Sequence, residues 1–591
     1  MTRVSHSSVA RLRDWLDGTD DVIPGRRMWP WFAVALLYAA FAGGLALHQA
    51  LASPYALADD VREHVFWMFR YLDPQLFPGD PMADYFQSLA PVGFTSLYWL
   101  LARLGINPLL ASKLIPTGLS LIAVSYFFGF AWRFFHSRAI ATVGAILFVQ
   151  CLWLNSDLSS ATPRAFFYPL FAAFLYYQLG GSIFGVLATT TLEALFFPPS
   201  ALLSLGVLGL ACWRWQNRPV LVRELRYYLQ LTGSLALVLL CLWPYLHQTG
   251  AFGPLVTSAA ARQMPEFGPK GRVPFFFPSW WGVWVGGNGG IHNMPTRPPW
   301  FLAAFLWPVL RRFPEKFPLL NAVPPGAGPL PQIIGSAMGL FGLAHLMLFR
   351  LYLPNRYTGP TMRVLMIFLA AGVLVALLDA ALRWEAALPK KKSKRDTMML
   401  TVCLLLFALV AGYPLLLPHF PTNGYIQGTD SALYDFFARQ PTTIRIASLS
   451  DEAENLPTLC RRSIIVGAEC AVPFHPAYYL PLRARGLEIA RAQYSADPAF
   501  LRQCLRDQRV DFWLLDRKAF SRHYSSRLLR QLRLAEPGEV LGMVQGVAPL
   551  LTQPPPDSIV YQDANFLVVD TRHLFLNPGQ TSALAGASAV Q

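Results

Sequence analysis

The sequence predicts a polytopic α-helical membrane protein of about 11 transmembrane helices, followed by a C-terminal extracytoplasmic α/β domain. Composition is the first reason: 54% of the 591 residues are hydrophobic, only 14% are charged, and the mean hydropathy is +0.36. A water-soluble fold does not need so apolar a chain, so the protein falls in the membrane class. The second reason is that apolar runs of spanning length recur as far as about residue 417, where the pattern changes.

The net charge of +15 comes with arginines and lysines placed largely at the ends of the apolar runs. In such positions they orient helices toward the cytoplasm and contact anionic lipid. The sequence has no basic groove motif, so nucleic acid is not an expected partner. The seven cysteines show no metal-binding spacing. A disulfide between Cys460 and Cys470, in the polar C-terminal part, is one alternative, and free thiols are the other.

Basic residues indicate the orientation of the chain. Residues 1–28 carry five arginines and precede a span at about 30–51. That span is as long as a full crossing and has no clear small-residue cleavage site, so we expect it to remain as an anchor. The N-terminus is then cytoplasmic and the next loop lies outside. The run from Lys390 to Arg395 places residues 385–396 inside and everything after about 418 outside.

The apolar runs between these two signals predict the other spans. The stretch 88–105 is only moderately apolar. If it were a span, the following span at 109–133 would end outside, together with the basic residues at 133–138 that favour the cytoplasm. We therefore interpret it as a surface or re-entrant helix. The spans after the first are predicted at about 109–133, 139–154, 164–179, 182–198, 199–214, 227–246, 300–311, 330–350, 361–384 and 397–417.

These signals divide the chain into four parts. They are a cytoplasmic N-terminal segment (1–28), a transmembrane domain (29–418) with outer loops at 52–108 and 247–300, an extracytoplasmic α/β domain (419–578) and a disordered tail (579–591). In the α/β domain, β-rich runs at 444–447, 463–466, 512–515 and 566–569 alternate with helical patterns at about 430–439, 497–508 and 517–532. Such alternation is typical of an α/β sandwich.

A polar run, Asp59-Asp60-Val61-Arg62-Glu63-His64, directly follows the first span. Apolar residues after Asp60 recur at helical spacing, which predicts a short helix along the membrane surface. The two carboxylates then lie at the N-terminal end of this helix, where the helix dipole favours their ionised form. There they can accept a proton or bind a cation. The alternative is that one of them only caps the helix.

Charged residues within or near apolar spans are functional candidates because their burial is costly. We interpret Arg356, in the turn before a span, as a phosphate ligand. Arg164 either joins it there or pairs structurally with Asp157. Arg350 and Arg363 are interpreted as side chains that extend from span ends to the interface. Further contacts to substrate or to a cation are predicted at His64, Asp84, Asp157, Glu193, Arg262 and Lys270.

Three further positions have their own interpretations. Glu193 lies inside a span and is either protonated or in contact with a polar cavity, and the sequence leaves both open. His475 is predicted to be a packed histidine rather than a base. The run Trp280-Trp281-Gly282 either lines a groove for an acceptor or a prenyl chain, or anchors the loop at the membrane interface.

A ring of arginines that faces a carboxylate pair is the arrangement that a reaction at a lipid phosphate requires. Guanidinium groups bind phosphate oxygens in bidentate fashion. The carboxylate would remove the proton of an acceptor hydroxyl while that hydroxyl attacks a sugar carbon. The sequence therefore indicates sugar transfer from a lipid-linked phosphate.

This arrangement resembles the GT-C class of integral-membrane glycosyltransferases, which includes protein O-mannosyltransferases and lipid A aminoarabinose transferases. The resemblance rests on an outer first loop that opens with Asp59-Asp60, on surface helices in that loop, on about eleven spans and on a C-terminal α/β domain. It implies an inverting transfer from a polyprenyl-phosphate sugar, with Asp59 or Asp60 as general base. It also implies Arg356 and Arg164 on the donor phosphate and, in some members, a divalent cation such as Mg²⁺ or Mn²⁺.

The chain departs from this class in two motifs. It has Asp-Asp where mannosyltransferases of the class usually carry Asp-Glu, and it lacks the Trp-Trp-Asp-Tyr-Gly motif of oligosaccharyltransferases. Protein N-glycosylation is therefore not expected.

The sequence thus predicts a cell-envelope glycosyltransferase of the plasma membrane. Its expected partners are the bilayer, a polyprenyl-phosphate-linked sugar and an unknown lipid, glycan or protein acceptor at the outer face; sugar, acceptor and metal requirement stay open. A transporter or flippase of polyprenyl-linked glycans or lipids, and a non-catalytic membrane scaffold, are the alternatives. A transporter should show paired broken helices in two related halves. The sequence shows no such repeat, which favours the enzyme.

Overall fold

A computed structural model describes residues 28–215, 218–247, 250, 252–291, 298–321, 328–387, 392–422, 424–521, 523–532 and 548–575. Most of these residues are helical. Five helical stretches among them are long and apolar enough to cross a membrane, namely Trp29–Leu51, Pro108–Phe135, Leu225–Tyr245, Asn355–Glu385 and Thr397–Leu416. The protein is therefore a helical membrane protein. The predicted N-terminal segment, apart from Met28, and the predicted disordered tail lie outside the described residues.

The third and fourth stretches belong to the helices Leu225–His247 and Asn355–Ala387, and the fifth combines the helix Lys392–Gly412 with the 3₁₀ helix that follows it. Shorter α-helices run over Val61–His64, Pro81–Leu89, Val92–Arg103, Arg138–Leu154, Ser156–Ser159, Phe167–Leu179, Ile183–Phe196, Pro198–Ala211, Ser258–Gln263, Trp280–Val285, Trp307–Leu310, Pro318–Asn321 and Pro329–Leu346. Helices of the 3₁₀ type run over Phe66–Tyr71, Pro163–Phe166, Pro265–Phe267, Pro299–Leu306 and Tyr413–Leu416.

Each predicted span coincides with helical residues, but some of these helices are short. Ile183–Phe196 and Pro198–Ala211 have 14 residues each, whereas a perpendicular crossing needs about 20. The stretch 88–105 contains the 12-residue helix Val92–Arg103, which is too short to cross and agrees with a surface or re-entrant helix. The number of about 11 crossings remains a prediction.

Aromatic side chains fill the centre of the helical part. The rings of Phe127 and Phe148 stack with centroids 4.4 Å apart, and those of Phe130 and Phe368 stack at 4.7 Å. Such pairs add to the packing that holds helices together in lipid, where burial of apolar surface gives little driving force.

The C-terminal part contains a five-stranded sheet. Its strands are Arg445–Ser448 (β5), Ser463–Ile464 (β6), Phe512–Asp516 (β7), Ile559–Gln562 (β8) and Phe566–Asp570 (β9). They lie in the order β6-β5-β7-β9-β8, in which β6, β5 and β7 are parallel and β9 and β8 join antiparallel. The α-helices of this part are Ser431–Ala438, Leu456–Leu459, Pro476–Gln493, Pro498–Gln508 and Arg527–Leu532, with 3₁₀ turns at Asp451–Asn455, Leu550–Thr552 and Pro556–Ser558.

The four predicted strands of this part are present, as are the helices predicted at 430–439 and 497–508. The predicted helix 517–532 is wrong over its first half. There, the backbone N–H of Arg517 donates to Asn565 and that of Ala519 donates to Asp516, so the chain turns back on β7. The helix Pro476–Gln493 was not predicted. It contains Pro481, a residue type that usually breaks helices.

The disulfide alternative is also wrong, because all seven cysteines are free. Cys460 is buried and its thiol donates a weak hydrogen bond to the carbonyl of Tyr434, 3.4 Å away. Cys470 is buried separately, and its carbonyl accepts a hydrogen bond from the hydroxyl of Tyr478 at 2.8 Å. Both residues therefore act as small packed side chains.

Two short strands connect the loop after the first span with the segment after the last one. Ala56–Ala58 (β1) pairs antiparallel with Tyr425–Gln427 (β4), and the backbone N–H of Asp59 continues the contact by donating to Gly424 at 2.9 Å. Leu57, at the centre of β1, is fully buried. A separate hairpin joins Trp213–Trp215 (β2) and Pro219–Leu221 (β3). Because the acidic pair directly follows β1, the β1–β4 contact determines where this pair lies.

Leu57→Ala should lower the stability of the protein by about 2–5 kcal/mol, since it leaves a cavity under β1. Leu72→Ala is the matched control, because Leu72 is 43% exposed and its truncation should change stability by no more than about 0.5 kcal/mol. Thermal unfolding of both variants in detergent measures the difference. Equal unfolding temperatures for the two variants would contradict a structural role of the β1–β4 contact.

Candidate functional site

Asp59 and Asp60 lie at the start of the one-turn helix Val61–His64 and bind different partners. The carboxylate of Asp59 accepts a hydrogen bond from Arg62, and that of Asp60 accepts one from Arg164. Asp60 occupies the N-cap position, but its side chain makes no capping hydrogen bond. The alternative that one of the two aspartates only caps the helix is therefore wrong.

Ion pairs continue from Asp60 into the helical part. Nη1 of Arg164 also lies 3.6 Å from Oδ1 of Asp157. The pairing of these two residues, one of the two alternatives predicted for Arg164, is therefore present. Asp157 Oδ2 accepts hydrogen bonds from Arg363 at 2.5 Å and from the hydroxyl of Tyr168 at 2.9 Å. Arg363 is thus buried and paired, and its interpretation as a side chain that extends to the interface is wrong.

A cavity of about 270 Å³ lies beside these ion pairs. Three guanidinium groups and one carboxylate reach it, together with neutral polar and aromatic side chains. Its lining residues are Asn155, Ser156, Asp157, Arg164, Phe167, Tyr168, Phe197, Asn355, Arg356, Pro360 and Arg363. An excess of guanidinium groups in a concave site is suited to binding an anion.

Arg356 differs from the other two arginines of the cavity. Arg164 and Arg363 are both paired with Asp157. Within the described ranges Arg356 forms no ion pair, and its Nε is buried without a hydrogen-bond partner. Its guanidinium carbon lies 5.7 Å from the ring centroid of Tyr352. One guanidinium therefore remains available for an anion in the cavity.

The acidic pair also contacts the C-terminal part of the chain. Arg62 is buried and lies 3.4 Å from Glu454 Oε2 and 3.7 Å from Glu469 Oε2, in addition to its contact with Asp59. Arg527 contacts the same three carboxylates. Buried charges are stable only when they are paired, so these groups stabilise one another.

Arg272, from the outer loop predicted at 247–300, completes this network. Its Nη2 lies 3.4 Å from Glu63 Oε2 and 2.5 Å from Glu469 Oε1. The loop predicted at 52–108, the loop predicted at 247–300 and the C-terminal part thus meet at one set of charges, which we name the acidic cluster. It consists of Asp59, Asp60, Glu63, Glu454 and Glu469 and their arginines Arg62, Arg164, Arg272 and Arg527.

Three members of the acidic cluster follow the parallel strands of the C-terminal sheet. Glu454 comes after β5, Glu469 after β6 and Arg527 after β7. The carboxyl ends of parallel strands meet at one edge of a sheet, and this edge is where α/β sheets bind ligands. The C-terminal sheet therefore contributes this edge to the candidate site.

Burial and pairing set the ionisation of the acidic cluster. Burial raises the pKa of Glu63 to about 7 and also raises the pKa of Glu469. For Asp60, burial acts in the same direction, but the guanidinium of Arg164 outweighs it and the pKa ends below its ordinary value. Burial lowers the pKa of His64 to about 4. At pH 7 the site therefore offers an ionised Asp60 beside a neutral imidazole.

Three carboxylates of the cluster could hold a cation. One oxygen each of Asp60, Glu63 and Glu469 lies within 4.8 Å of the others. Carboxylate oxygens are the ligands that Mg²⁺ and Mn²⁺ prefer. His64 stands beside them, with its Nε2 4.0 Å from Glu63 Oε1. The donor atoms thus fit a hard divalent cation, although each of the three carboxylates also contacts an arginine.

Of the predicted contact residues, His64 and Asp157 belong to the site, and two others lie clearly away from it. Asp84 pairs with Arg70 at 2.8 Å on an exposed surface. Glu193 is fully buried in the helix Ile183–Phe196 and is not among the residues that line the cavity. Neither of its carboxylate oxygens has a hydrogen-bond partner among the described residues.

The basic residues predicted in the second outer loop also stand apart. Arg262 is exposed and its guanidinium carbon lies 5.2 Å from the ring centroid of Phe276. Lys270 is exposed in the turn closed by a hydrogen bond from Gly271 to Gly268. Neither residue lines the cavity, so the basic contact of this loop with the acidic cluster is made by Arg272 instead.

The structure also describes His475, the two tryptophans of the loop predicted at 247–300 and Arg350, each of which has a separate interpretation from the sequence. His475 is a packed histidine, as predicted: its Nδ1 lies 2.9 Å from the hydroxyl of Tyr85, against whose ring it packs edge-on. Trp280 and Trp281 are 73% and 68% exposed, which is compatible with a groove and with an interfacial anchor. Arg350 is exposed, in agreement with its interpretation as an interfacial side chain.

The site includes residues that the sequence did not single out. They are Arg62, Glu63, Tyr168, Arg272, Asn355, Glu454, Glu469 and Arg527. Two of them carried a usable signal, because Glu454 and Glu469 follow predicted strands at the edge where α/β sheets bind ligands. Arg527 follows β7 at a greater distance, and no pattern in the sequence marks it.

No protein-family model and no curated protein matches the sequence. Several solved structures resemble the chain. The apo oligosaccharyltransferase of Archaeoglobus fulgidus has 12% sequence identity and a TM-score of 0.47, covering 84% of this chain and 70% of its own. An arabinofuranosyltransferase from Mycobacteria has 14% identity and a TM-score of 0.49, covering 87% of this chain and 37% of its own.

The aminoarabinose transferase ArnT of Cupriavidus metallidurans has 13% identity and a TM-score of 0.33, covering 90% of this chain and 97% of its own. All three are GT-C glycosyltransferases. This is the class that the sequence resembles. ArnT has also been solved with undecaprenyl phosphate, and the Archaeoglobus enzyme with Zn and sulfate. Because all three TM-scores are below 0.5, these structural similarities do not assign a substrate or a reaction to this chain. Both have to be inferred from its own site residues.

Asp157→Ala should destabilise the protein by about 3–5 kcal/mol, because it leaves the buried guanidinium of Arg363 without its anionic partner. Asp84→Ala is the matched control: it removes the exposed partner of Arg70 and should cost about 0–1 kcal/mol. Thermal unfolding of the two variants in detergent measures both effects. A loss at Asp157 as small as that at Asp84 would show that the buried pair does not hold the cavity together.

Proposed function

We propose that the protein is a glycosyltransferase that moves a sugar from a polyprenyl-phosphate donor to a lipid, glycan or protein acceptor. One observation carries this proposal. The ionised carboxylate of Asp60 is linked through Arg164 to a cavity in which Arg356 is free to bind an anion. A base beside an anion site is what transfer from a phosphate leaving group needs.

The place of the cavity in the helical part supports a lipid-linked donor. Asn355 and Arg356 begin the helix that contains the candidate span Asn355–Glu385, and Asp157 follows the apolar helix Arg138–Leu154. A phosphate bound there would lie at the end of the apolar helices. Its polyprenyl chain could then stay in the bilayer while the sugar enters the cavity.

In the proposed step, Asp60 accepts the proton of the acceptor hydroxyl as the hydroxyl oxygen forms a bond to the anomeric carbon of the sugar. The bond between that carbon and the phosphate oxygen breaks, and its electron pair stays on the phosphate. Arg356, with Arg164, would bind the charge that develops there. Attack from the side opposite the phosphate inverts the configuration of the anomeric carbon.

Asp60 is the better candidate for the base. Asp59 is paired with Arg62 and Arg527 on the side of the C-terminal sheet, whereas Asp60 is paired with Arg164, which lines the cavity. We therefore assign the proton transfer to Asp60 and a positioning role to Asp59.

A divalent cation, Mg²⁺ or Mn²⁺, would be held by Asp60, Glu63 and Glu469. When bound, such a cation supplies positive charge next to a phosphate leaving group. The carboxylates themselves orient the loop that carries Asp60 toward the cavity, through their contacts with Arg272 and Arg164.

We further propose that the enzyme works at the outer face of the plasma membrane, with about 11 crossings and a cytoplasmic N-terminus. The basic run from Lys390 to Arg395 supports this orientation, since it lies between the last two predicted spans. Residues 419–578 would then form an extracytoplasmic α/β domain whose sheet edge meets the acidic cluster.

Asp60→Asn should reduce sugar transfer by about a hundred- to ten-thousand-fold, because general-base catalysis contributes an effect of this size. The assay uses purified protein in nanodiscs, radiolabelled polyprenyl-phosphate sugars and a membrane extract as acceptor. Donor binding should persist in this variant. Arg356→Gln should instead raise the KM for the donor more than it lowers kcat, because it removes an anion ligand.

Asp59→Asn is the matched control, with the same change one residue earlier and a smaller expected loss of kcat. Transfer lost only in Asp59→Asn would move the base to that residue. Donor binding without transfer, unchanged in both Asn variants, would favour a transporter or a scaffold over the enzyme.

Removal of divalent cations by a chelator should lower turnover, and added Mg²⁺ or Mn²⁺ should restore it, if the three carboxylates hold a metal. A second readout does not depend on activity: Mn²⁺ should raise the unfolding temperature of the wild type. Glu469→Gln should lose most of this shift. Full turnover after chelation, together with no Mn²⁺-dependent shift, would contradict the cation site.

A further inference from the structure

A second cavity lies in the C-terminal part, between the helices Pro476–Gln493 and Pro498–Gln508, and the proposed reaction does not use it. Its volume is about 270 Å³. No lining residue belongs to the acidic cluster or lines the cavity of the candidate site. We name this second cavity the helix groove. It is lined by Ala484, Leu487, Glu488, Arg491, Phe500 and Gln503.

The spacing of the lining residues explains why they share one groove. On the first helix, positions 484, 487, 488 and 491 are three or four residues apart, so they form one stripe along the helix. Positions 500 and 503 form a second stripe on the other helix. The opposite faces of the two helices carry Ile489, Leu501 and Leu505, which are buried in the core. The helix groove therefore lies between two outward-facing stripes of helices that are anchored in the domain.

The helix groove combines apolar surface with polar side chains. Leu487 and Phe500 are half-buried and pack against the core, so that part of each side chain remains available to a ligand. Arg491 and Gln503 are exposed beside them. A pyranose ring has an apolar face of C–H groups and a rim of hydroxyls. Such a ring can pack on Phe500 while its hydroxyls form hydrogen bonds with the polar side chains.

Two opposite charges reach the helix groove without pairing with each other. The carboxylate of Glu488 accepts a hydrogen bond from Nε2 of Gln508 at 2.6 Å, which fixes its position and leaves further acceptor sites on it. The guanidinium of Arg491 forms no ion pair with any residue that the structure describes. The groove thus offers a strong acceptor and a strong donor with no net charge. A neutral polyol fits this pair, whereas a ligand of either charge would lie beside a like charge.

We propose that the helix groove is a carbohydrate-binding site, separate from the reaction site, which holds one uncharged sugar unit of a glycan chain. Its volume accommodates a single hexose ring. The exposed side chains of Ala484, Arg491 and Gln503 leave the groove open to solvent, so neighbouring units of the chain can extend from it. A lipid phosphate is a poorer ligand, because its charge would lie beside the carboxylate of Glu488.

The first helix of the groove also contacts the loop that carries Arg272. The hydroxyl of Tyr479 donates to Glu266 Oε1 at 2.9 Å, and Nε of Arg483 donates to the same oxygen at 3.2 Å. Leu487 lies about 12 Å along the helix axis from Tyr479, at a rise of about 1.5 Å per residue. A single sugar therefore cannot occupy the helix groove and the reaction site together. On the basis of the proposed function, the groove retains an acceptor glycan of several units while the end of that glycan is modified.

The test measures binding of oligosaccharides to the full-length protein in nanodiscs by ligand-observed NMR titration. The probes are linear hexamers of glucose, mannose and galactose, with hexamers of galacturonic acid and glucosamine as charged counterparts and hexa-alanine as a peptide. We expect at least one neutral hexamer to bind with a Kd on the order of 1 mM or below, and the charged hexamers and the peptide at least about tenfold more weakly. No binding of any neutral hexamer, or equal or tighter binding of a charged hexamer or the peptide, would overturn the inference.

Substitutions in the helix groove locate the binding. Ala484→Trp places an indole in the groove and should weaken binding of the neutral hexamer at least about tenfold. Ala499→Trp is its matched control, because Ala499 is exposed on the second helix and does not line the groove. Arg491→Gln removes a charged hydrogen-bond donor and should weaken binding about tenfold, whereas Arg502→Gln, outside the groove, should not. Equal affinities of the four variants, all folded by size-exclusion chromatography and thermal unfolding, would overturn the inference.

The inference and the proposed function fail in different ways. If Ala484→Trp abolishes hexamer binding but the wild type transfers no sugar to any acceptor, the glycosyltransferase proposal fails and the carbohydrate site stands. If sugar is transferred, and Ala484→Trp and Arg491→Gln leave hexamer binding unchanged, the enzyme stands and the carbohydrate site is wrong. If no hexamer binds and no sugar is transferred, both are wrong.

Discussion

The ion pair between Asp60 and Arg164 connects the acidic cluster with the cavity. An arginine next to apolar helices is stable only while its guanidinium has anionic partners, and Arg164 obtains them from Asp60 and Asp157. The loop after the first span is thereby tied to the helix ends that line the cavity. The cavity itself depends on the same pairing, because Asp157 also pairs with Arg363, whereas Arg356 forms no ion pair with any residue that the structure describes.

The acidic cluster shows why the C-terminal sheet cannot be considered separately from the membrane part. Five carboxylates close together repel one another, and they are held by arginines from different parts of the chain. Glu454, Glu469 and Arg527 reach the cluster from the carboxyl edge of the parallel strands. The sheet thus supplies charged side chains that hold the loop with Asp59 and Asp60 in place.

Long apolar runs could be predicted from the sequence, because composition alone decides whether a segment can lie in lipid. The acidic pair at 59–60 and the strands of the C-terminal sheet were also recognisable, from local polarity and from β-rich patterns. The sequence did not indicate which residues pair with the charged side chains of these segments. Arg363 looks like any basic residue near a span end, and only the folded chain places it 2.5 Å from Asp157, 206 positions earlier. Such long-range pairing leaves no local pattern, which is why Arg527 was missed and Arg363 was misinterpreted.

The contact between β1 and β4 joins residues that are far apart along the chain, since Ala56 pairs with Gln427. Asp59 and Asp60 are synthesised early. Strand β4, which pairs with β1, and Arg527, which contacts Asp59, are synthesised only after the last predicted span. During synthesis the loop with Asp59 and Asp60 therefore lacks its partners in β4 and the C-terminal sheet until most of the polypeptide has been inserted into the membrane. A chain that stops before residue 425 could place all its predicted spans in the bilayer and would still lack β4, Glu454, Glu469 and Arg527, and therefore the assembled acidic cluster.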